Sequence, residues 1–155
     1  MCADASACRE LPVLLILTED DCSKTIEEAF AYAKAEKRPL HAFQILNSGL
    51  YCYGHQDIVS TRPSKEQFLL YIRDQVLQHG RAEAQALTEK ARDIGVSLSI
   101  TTMESEDIIS ASFAEAQKGY DVIYLPKQKR QLFPIFKKTL RECLQRKITA
   151  RILAY

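Results

Sequence analysis

With 155 residues, 46% of them hydrophobic, and only five glycines and five prolines, the chain has the size and composition of one globular domain, which excludes disordered, collagen-like and low-complexity classes. Twenty-one basic residues against twenty acidic leave a formal charge of +1, too little for the general attraction to DNA, RNA or a membrane surface that a strongly basic chain shows. No apolar run approaches the roughly 18 residues of a membrane span.

Residues 1–10 (MCADASACRE) read as a loose leader in which acid precedes base and no apolar segment of a signal peptide follows. The five cysteines (Cys2, Cys8, Cys22, Cys52, Cys143) are odd in number and irregular in spacing, so free thiols in a reducing, cytoplasmic compartment are expected. Residues 11–155 then form a single domain. The run 12–18 (PVLLILT) is continuously apolar and too short for a helix, which predicts a strand covered on both faces. A helix follows near 24–37, with Ile26, Ala29, Phe30 and Ala33 on one stripe and Ser23 or Asp21 as its N-cap. Residues 39–46 (PLHAFQIL) predict the second strand, in which His41 reads as a hydrogen-bonded wall residue.

Residues 47–62 form the longest irregular segment. Pro63 and Ser64 open the longest helix, with Ser64 and Gln67 spaced as a capping box. Its core stripe is Phe68, Ile72 and Val76, then Ala84, Leu87, Ala91 and Ile94, and Gly95 has the place of a C′ terminator. Gly80, beside His79, is either a kink or a plain solvated glycine. A strand at 96–100, a helix around 105–118, a strand at 120–125, a basic turn at 126–131, a helix to about 147 and a closing strand (ARILAY) complete the order. Such alternation predicts an α/β fold: an open, doubly wound, five-stranded parallel sheet with about four helices. Its ligand crevice lies beyond the carboxyl ends of the strands, at 18–22, 46–62, 126–131 and the start of the last helix.

Three segments carry a resemblance. VLLILTEDD with the AFAYA helix, RAEAQALTEKARDIGVSLSITTMESEDIISASFAEAQKGYDVIYLP with Asp121 leading into its last strand, and KTLRECLQRKITARILAY with Glu142 and Arg146 are similar to successive parts of the universal stress protein family. The resemblance implies a stress-response binding or regulatory protein, and a homodimer formed through the terminal strand. Nucleotide-binding members carry an Asp ending the first strand and a Gly-x2-Gly-x9-Gly-Ser/Thr loop after the fourth, where bare amides approach phosphate. Here the first strand ends in Thr18, with Asp20 and Asp21 in the loop beyond it, and the fourth-strand turn reads Leu125-Pro126-Lys127-Gln128-Lys129. Counting from Leu125 places Gln128, Lys138 and Thr139 on the remaining motif positions; counting from Pro126 needs a one-residue deletion. Neither register restores a glycine, Pro126 removes an amide donor, and only Thr139 keeps the motif's hydroxyl. The chain therefore resembles the branch without the glycine-rich ATP motif. Its candidate nucleotide or anion site is Thr18, Asp20, Ile45, Pro126, Lys127, Lys129, Lys138 and Thr139, for either no cofactor or ATP or AMP.

Lys127, Lys129, Arg130, Lys137, Lys138 and Arg141 read either as an anion site in which side-chain charge replaces backbone donors, or as a solvated basic face. With the 47–62 loop, the same charges suit docking of an acidic protein partner. Asp20 and Asp21 beside Thr18 offer a phosphoreceiver's metal carboxylates, yet the matching acceptor Asp and Lys are not evident. Cys22 ahead of a helix offers a redox thiol opposed by its neighbouring aspartates, and Cys52 with His55 offers two metal ligands without the other two. Three scattered histidines assemble no Ser/His/Asp relay, so a non-enzyme is expected.

Overall fold

The computed structural model describes residues 11–18, 22–48, 62–126 and 151–154. Five strands, β1 (Val13–Leu17), β2 (Leu40–Asn47), β3 (Leu98–Ser105), β4 (Val122–Leu125) and β5 (Arg151–Ala154), form one sheet in the order β3-β2-β1-β4-β5, every pair parallel. Three helices are described: α1 (Ser23–Ala35), α2 (Arg62–Ile94) and α3 (Ile108–Ala116). The chain winds outward from β1 through β2 to β3, then returns to lay β4 on the other side of β1. That reversal makes the sheet doubly wound and sets its switch point between β1 and β4. The fourth helix expected before the closing strand falls outside the described residues.

β1 is buried at all five positions because both faces are covered, as its unbroken apolar run requires. Val13, Leu15 and Leu17 pack with Phe30 and Ala33 of α1 and with Leu87 and Ala91 of α2. Leu14 and Ile16 pack with Phe43, Ile45 and Ile123 beneath Ala111 and Ala116 of α3. Each such aliphatic side chain contributes about 1.5–3 kcal/mol by leaving water.

α1 keeps its expected stripe, with Thr25 joining Ala29, Phe30 and Ala33 in the interior. Its N-cap is Cys22, which makes no side-chain cap bond, so Ser23 is the first helical residue and not the cap; Asp21 lies outside the described residues. The start of α2 also differs from expectation. The helix begins at Arg62, which places Ser64 inside its first turn instead of at a capping box. Its end is as expected: Gly95 takes φ +83°, and both Gly95 and Val96 donate their N–H groups to the Ala91 carbonyl at 2.9 Å.

The stripe of α2 is only half a core stripe. Leu87 and Ala91 are buried, Ile72 and Val76 are half-buried, and Phe68 is 60% exposed. Length is the reason: 33 residues make a helix of roughly 50 Å. The eight residues of β2 span only about 27 Å. The N-terminal half of α2 therefore runs past the sheet.

Gly80 is buried, which removes the solvated-glycine reading, and α2 is continuous through it. A Cβ there would stand 3.0 Å from Cδ2 of Leu46 and 3.6 Å from Nε2 of Gln44, so the glycine allows α2 to lie close on β2.

β3 extends to Ser105, well past the expected 96–100, because it pairs residue for residue with all of β2. α3 consequently starts later than expected, at Ile108. Its N-cap is Asp107, whose Oδ1 accepts from the Ser110 N–H at 3.0 Å and whose Oδ2 accepts from the Ser110 hydroxyl at 2.6 Å. β5 lies at the sheet edge, as expected of a terminal strand. No helix among the described residues is long and apolar enough to cross a membrane.

Candidate functional site

A cavity of about 360 Å³ opens at the carboxyl ends of the strands. Thr18 follows β1 on one side, Gln44, Ile45 and Leu46 come from β2, and α2 supplies Gln75, Val76, His79 and Glu83. The stagger of α2 makes this possible, since its overhanging half forms a wall above the strand ends. Gln44, 2% exposed, holds the wall in place. Its Nε2 donates to the Gly80 carbonyl at 3.1 Å and to Oε2 of Glu83 at 2.9 Å, while its Oε1 accepts from the Thr102 hydroxyl at 3.1 Å. Three of its hydrogen-bonding positions are thus used, which is what burial of an amide demands.

Two of the sequence-predicted residues, Thr18 and Ile45, line this cavity; Ile45 also packs its side chain into the α3-side core. Pro126 is buried directly after β4 and does not line it. The preceding Leu125 carbonyl accepts from the hydroxyl of Thr25 at 3.4 Å, tying the first turn of α1 to the end of β4 across the switch point. Asp20, Lys127, Lys129, Lys138 and Thr139 lie outside the described residues, as do Cys52 and His55. Sequence reading missed Gln44, His79 and Glu83 as wall residues. Gln44 had a signal, being an amide set between the apolar pairs Ala42-Phe43 and Ile45-Leu46. A second hollow, of about 290 Å³, lies at the opposite ends of the strands beside Lys34, Lys37 and Arg38, away from the crevice this topology offers to ligands.

A polar cluster also occupies that opposite end. Glu115 of α3 is 4% exposed and accepts from two donors, Nζ of Lys118 and the Tyr120 hydroxyl, each at 2.6 Å, while Nε2 of His41 faces its Oε1 at 3.2 Å as an ion-pair contact. The imidazole stacks on Tyr120, and its Nδ1 stands 2.7 Å from the hydroxyl of Ser99 on β3. The expectation that His41 is a hydrogen-bonded wall residue holds. β2 and β3 pair His41 with Ser99 in register, and α3 brings Glu115 to the other side of the ring.

Burial works to raise the Glu115 carboxyl, but hydrogen bonds from Lys118 and Tyr120 and the nearby charges of Lys118 and His41 outweigh it and hold it below its usual value. Burial and the adjacent Glu115 push the Tyr120 hydroxyl well upward. A depressed carboxyl stabilises the fold above its ordinary value of 4.5 and loses that contribution as pH falls through the lower folded value. Glu115→Gln is therefore expected to be less stable by about 2 kcal/mol at neutral pH, since hydrogen bonds to charged groups are involved. As pH falls through that lowered value the two urea-unfolding profiles should converge; profiles that stay parallel however far the pH is lowered would contradict the assignment.

No protein-family model matches the sequence, and a search of curated proteins finds no match. The architecture, by contrast, has solved counterparts. The universal stress protein UspA from Lactobacillus plantarum superposes with a TM-score of 0.63 at 12% identity, over 94% of this chain and 97% of that one. A universal stress protein in complex with cAMP gives 0.60 at 11% identity, over 94% and 97%. A universal stress protein family protein from Arabidopsis thaliana with AMP bound gives 0.51 at 12% identity, over 92% and 90%. The molecule is a doubly wound α/β protein with a crevice at the carboxyl ends of its strands. Its fold is that of the universal stress proteins.

Proposed function

We propose that this chain is a stress-response regulatory protein of the universal stress protein kind that works at its crevice by binding and not by turnover. The ligand class is a nucleoside monophosphate, AMP or cAMP, in preference to ATP. The observation that carries this reading is the cavity of about 360 Å³ between β1, β2 and α2, a volume suited to a nucleoside. Buried Pro126 stands after β4 where a phosphate-cradling turn would present an amide, which disfavours the longer triphosphate. Two structures of the same fold hold AMP and cAMP, which supports the ligand class. The reading includes a homodimer built on the edge strand β5, whose outer side is open to a second copy among the described residues.

Thermal melting with adenosine, AMP, cAMP and ATP, on samples whose mass is measured by light scattering, tests the whole reading. AMP or cAMP at about 100-fold over Kd is expected to add about 2.7 kcal/mol. For a chain this long that is roughly 5–10 °C in Tm. Val76→Trp, which fills the cavity, should abolish the rise, and the mass should be twice that of the chain. A rise with ATP exceeding that with AMP and cAMP, or no rise with any of them, overturns the ligand assignment. A monomer mass overturns the dimer.

A further inference from the structure

We infer that Ser99, His41 and Glu115 form a nucleophile–base–carboxylate relay that accepts acyl groups from small activated carboxylic esters at Ser99 Oγ. This site stands at the opposite end of the sheet from the crevice and is independent of what the crevice binds.

The contacts favour one proton arrangement. Glu115 is a carboxylate that only accepts, and Nε2 of His41 faces it at 3.2 Å, so a hydrogen is best placed on that nitrogen. In that tautomer Nδ1 is the bare nitrogen, which can accept from the Ser99 hydroxyl 2.7 Å away. A serine whose proton already rests on an imidazole lone pair, with a carboxylate behind the ring, has the order that general-base activation of a hydroxyl requires.

The parts differ in burial as such roles demand. Ser99 is exposed on the edge strand β3, the His41 side chain is 17% exposed, and that of Glu115 is 5% exposed. The carboxylate cannot swing away, because Tyr120 and Lys118 hold its two oxygens at 2.6 Å each. Tyr120 stacks on the imidazole with its centroid at 6.1 Å and fixes the ring plane as well. Glu115 and Tyr120 are positioning residues; Ser99 is the group that meets the ester. Ser99 is exposed and lies outside the two hollows described above, so among the described residues a small acyl group is the one suited.

In the step itself, Ser99 Oγ bonds to the acyl carbon while its proton passes to His41 Nδ1. The imidazolium so formed faces the Glu115 carboxylate. The ester C–O bond then breaks, and the leaving oxygen takes the proton back. Water attacks the acyl-serine by the same route, releases the carboxylic acid and restores the hydroxyl.

The test uses the full chain with p-nitrophenyl acetate, following p-nitrophenolate release and locating acetyl groups by peptide mapping. The expected result is an acetyl group on Ser99, absent from Ser99→Ala, with the Ser99 rate reduced by about 100-fold in His41→Gln. Ser99→Ala alters an exposed strand position and should melt as the parent does. Because His41→Gln removes an ion-pair partner from buried Glu115, its fold is checked by melting. A second readout needs no variant: proton transfer in the attack makes acetylation of Ser99 slower in D2O. Acetyl groups confined to lysines, an unchanged rate in folded His41→Gln, or a Ser99 rate indifferent to D2O overturns the relay and leaves the cluster a structural clasp.

Discussion

Gln44→Glu, an exchange of a single heavy atom, is expected to lower stability at neutral pH by about 3 kcal/mol or more. In a chain of this length that is roughly 6–12 °C in Tm. The side chain keeps its shape, so packing is not the cause. The nitrogen that donates to the Gly80 carbonyl and to Oε2 of Glu83 becomes an oxygen, leaving acceptors facing acceptors at about hydrogen-bond distance. A negative charge is also placed at a site 2% exposed, beside an existing carboxylate. Burial and Glu83 would both raise the new group's folded pKa. The electrostatic part of the loss should therefore be absent below the ordinary glutamate range near 4.3 and grow as pH rises through the folded value, leaving only the donor loss at low pH. Gln44→Leu separates the causes. It removes the donor without adding charge, the Gly80 carbonyl lies within the ladder of α2, and exposed Glu83 can turn to water. A loss of about 1 kcal/mol with no pH dependence is expected there. Urea unfolding of both variants at pH 7 and pH 4.5 decides the matter; identical pH behaviour would remove the electrostatic account.

Gly80→Leu should cost about 2–3 kcal/mol by overpacking. The first added carbon already meets Leu46 Cδ2 at 3.0 Å and Cδ1 at 3.2 Å, and the atoms beyond it have β2 in their path. α2 can admit them only by lifting from the sheet, which separates the Gly80 carbonyl from Gln44. Gly80→Ala sets two effects against each other. Alanine gains about 1 kcal/mol of helix propensity over glycine, while the Leu46 side chain must yield by a few tenths of an ångström. The alanine variant is expected within about 1 kcal/mol of the parent, since Leu46 can rotate its tip. Thermal melting that places the leucine variant at or above the alanine one would show that the helix–strand approach is looser than these distances imply.

The sheet was legible wherever a strand is covered on both faces, because VLLIL, AFQIL and VIYL can be nothing but interior. β3 was half legible. Its second half, Thr101–Ser105, is polar and exposed on an edge, and only the ladder to β2, set by long-range pairing, keeps it extended. The late start of α3 follows from that, since two possible caps stand close together in SEDI and sequence alone does not rank Asp107 above Ser105. In α2 the period of Phe68, Ile72 and Val76 was read correctly, but a period does not say what a helix face lies against. Gly80 and Gln44 are 36 residues apart and explain each other only in three dimensions, as do His41 and Ser99, separated by 58. Of the candidate site residues, Thr18 and Ile45 line the cavity. The contribution of α2 was not legible, because no local pattern reveals that a helix overshoots its sheet.

That overshoot has a mechanical consequence. Arg62 lies 18 residues before Gly80, so the arm from the contact on β2 to the far tip measures roughly 27 Å, and a tilt of about 10° at the contact would carry the tip roughly 5 Å. Gln75, Val76, His79 and Glu83 sit near this fulcrum, while Phe68 and Tyr71, 60% and 59% exposed, sit far out on the arm. A guest that displaces the wall by a fraction of an ångström would thus be reported, several times magnified, at an aromatic surface a neighbouring molecule can touch.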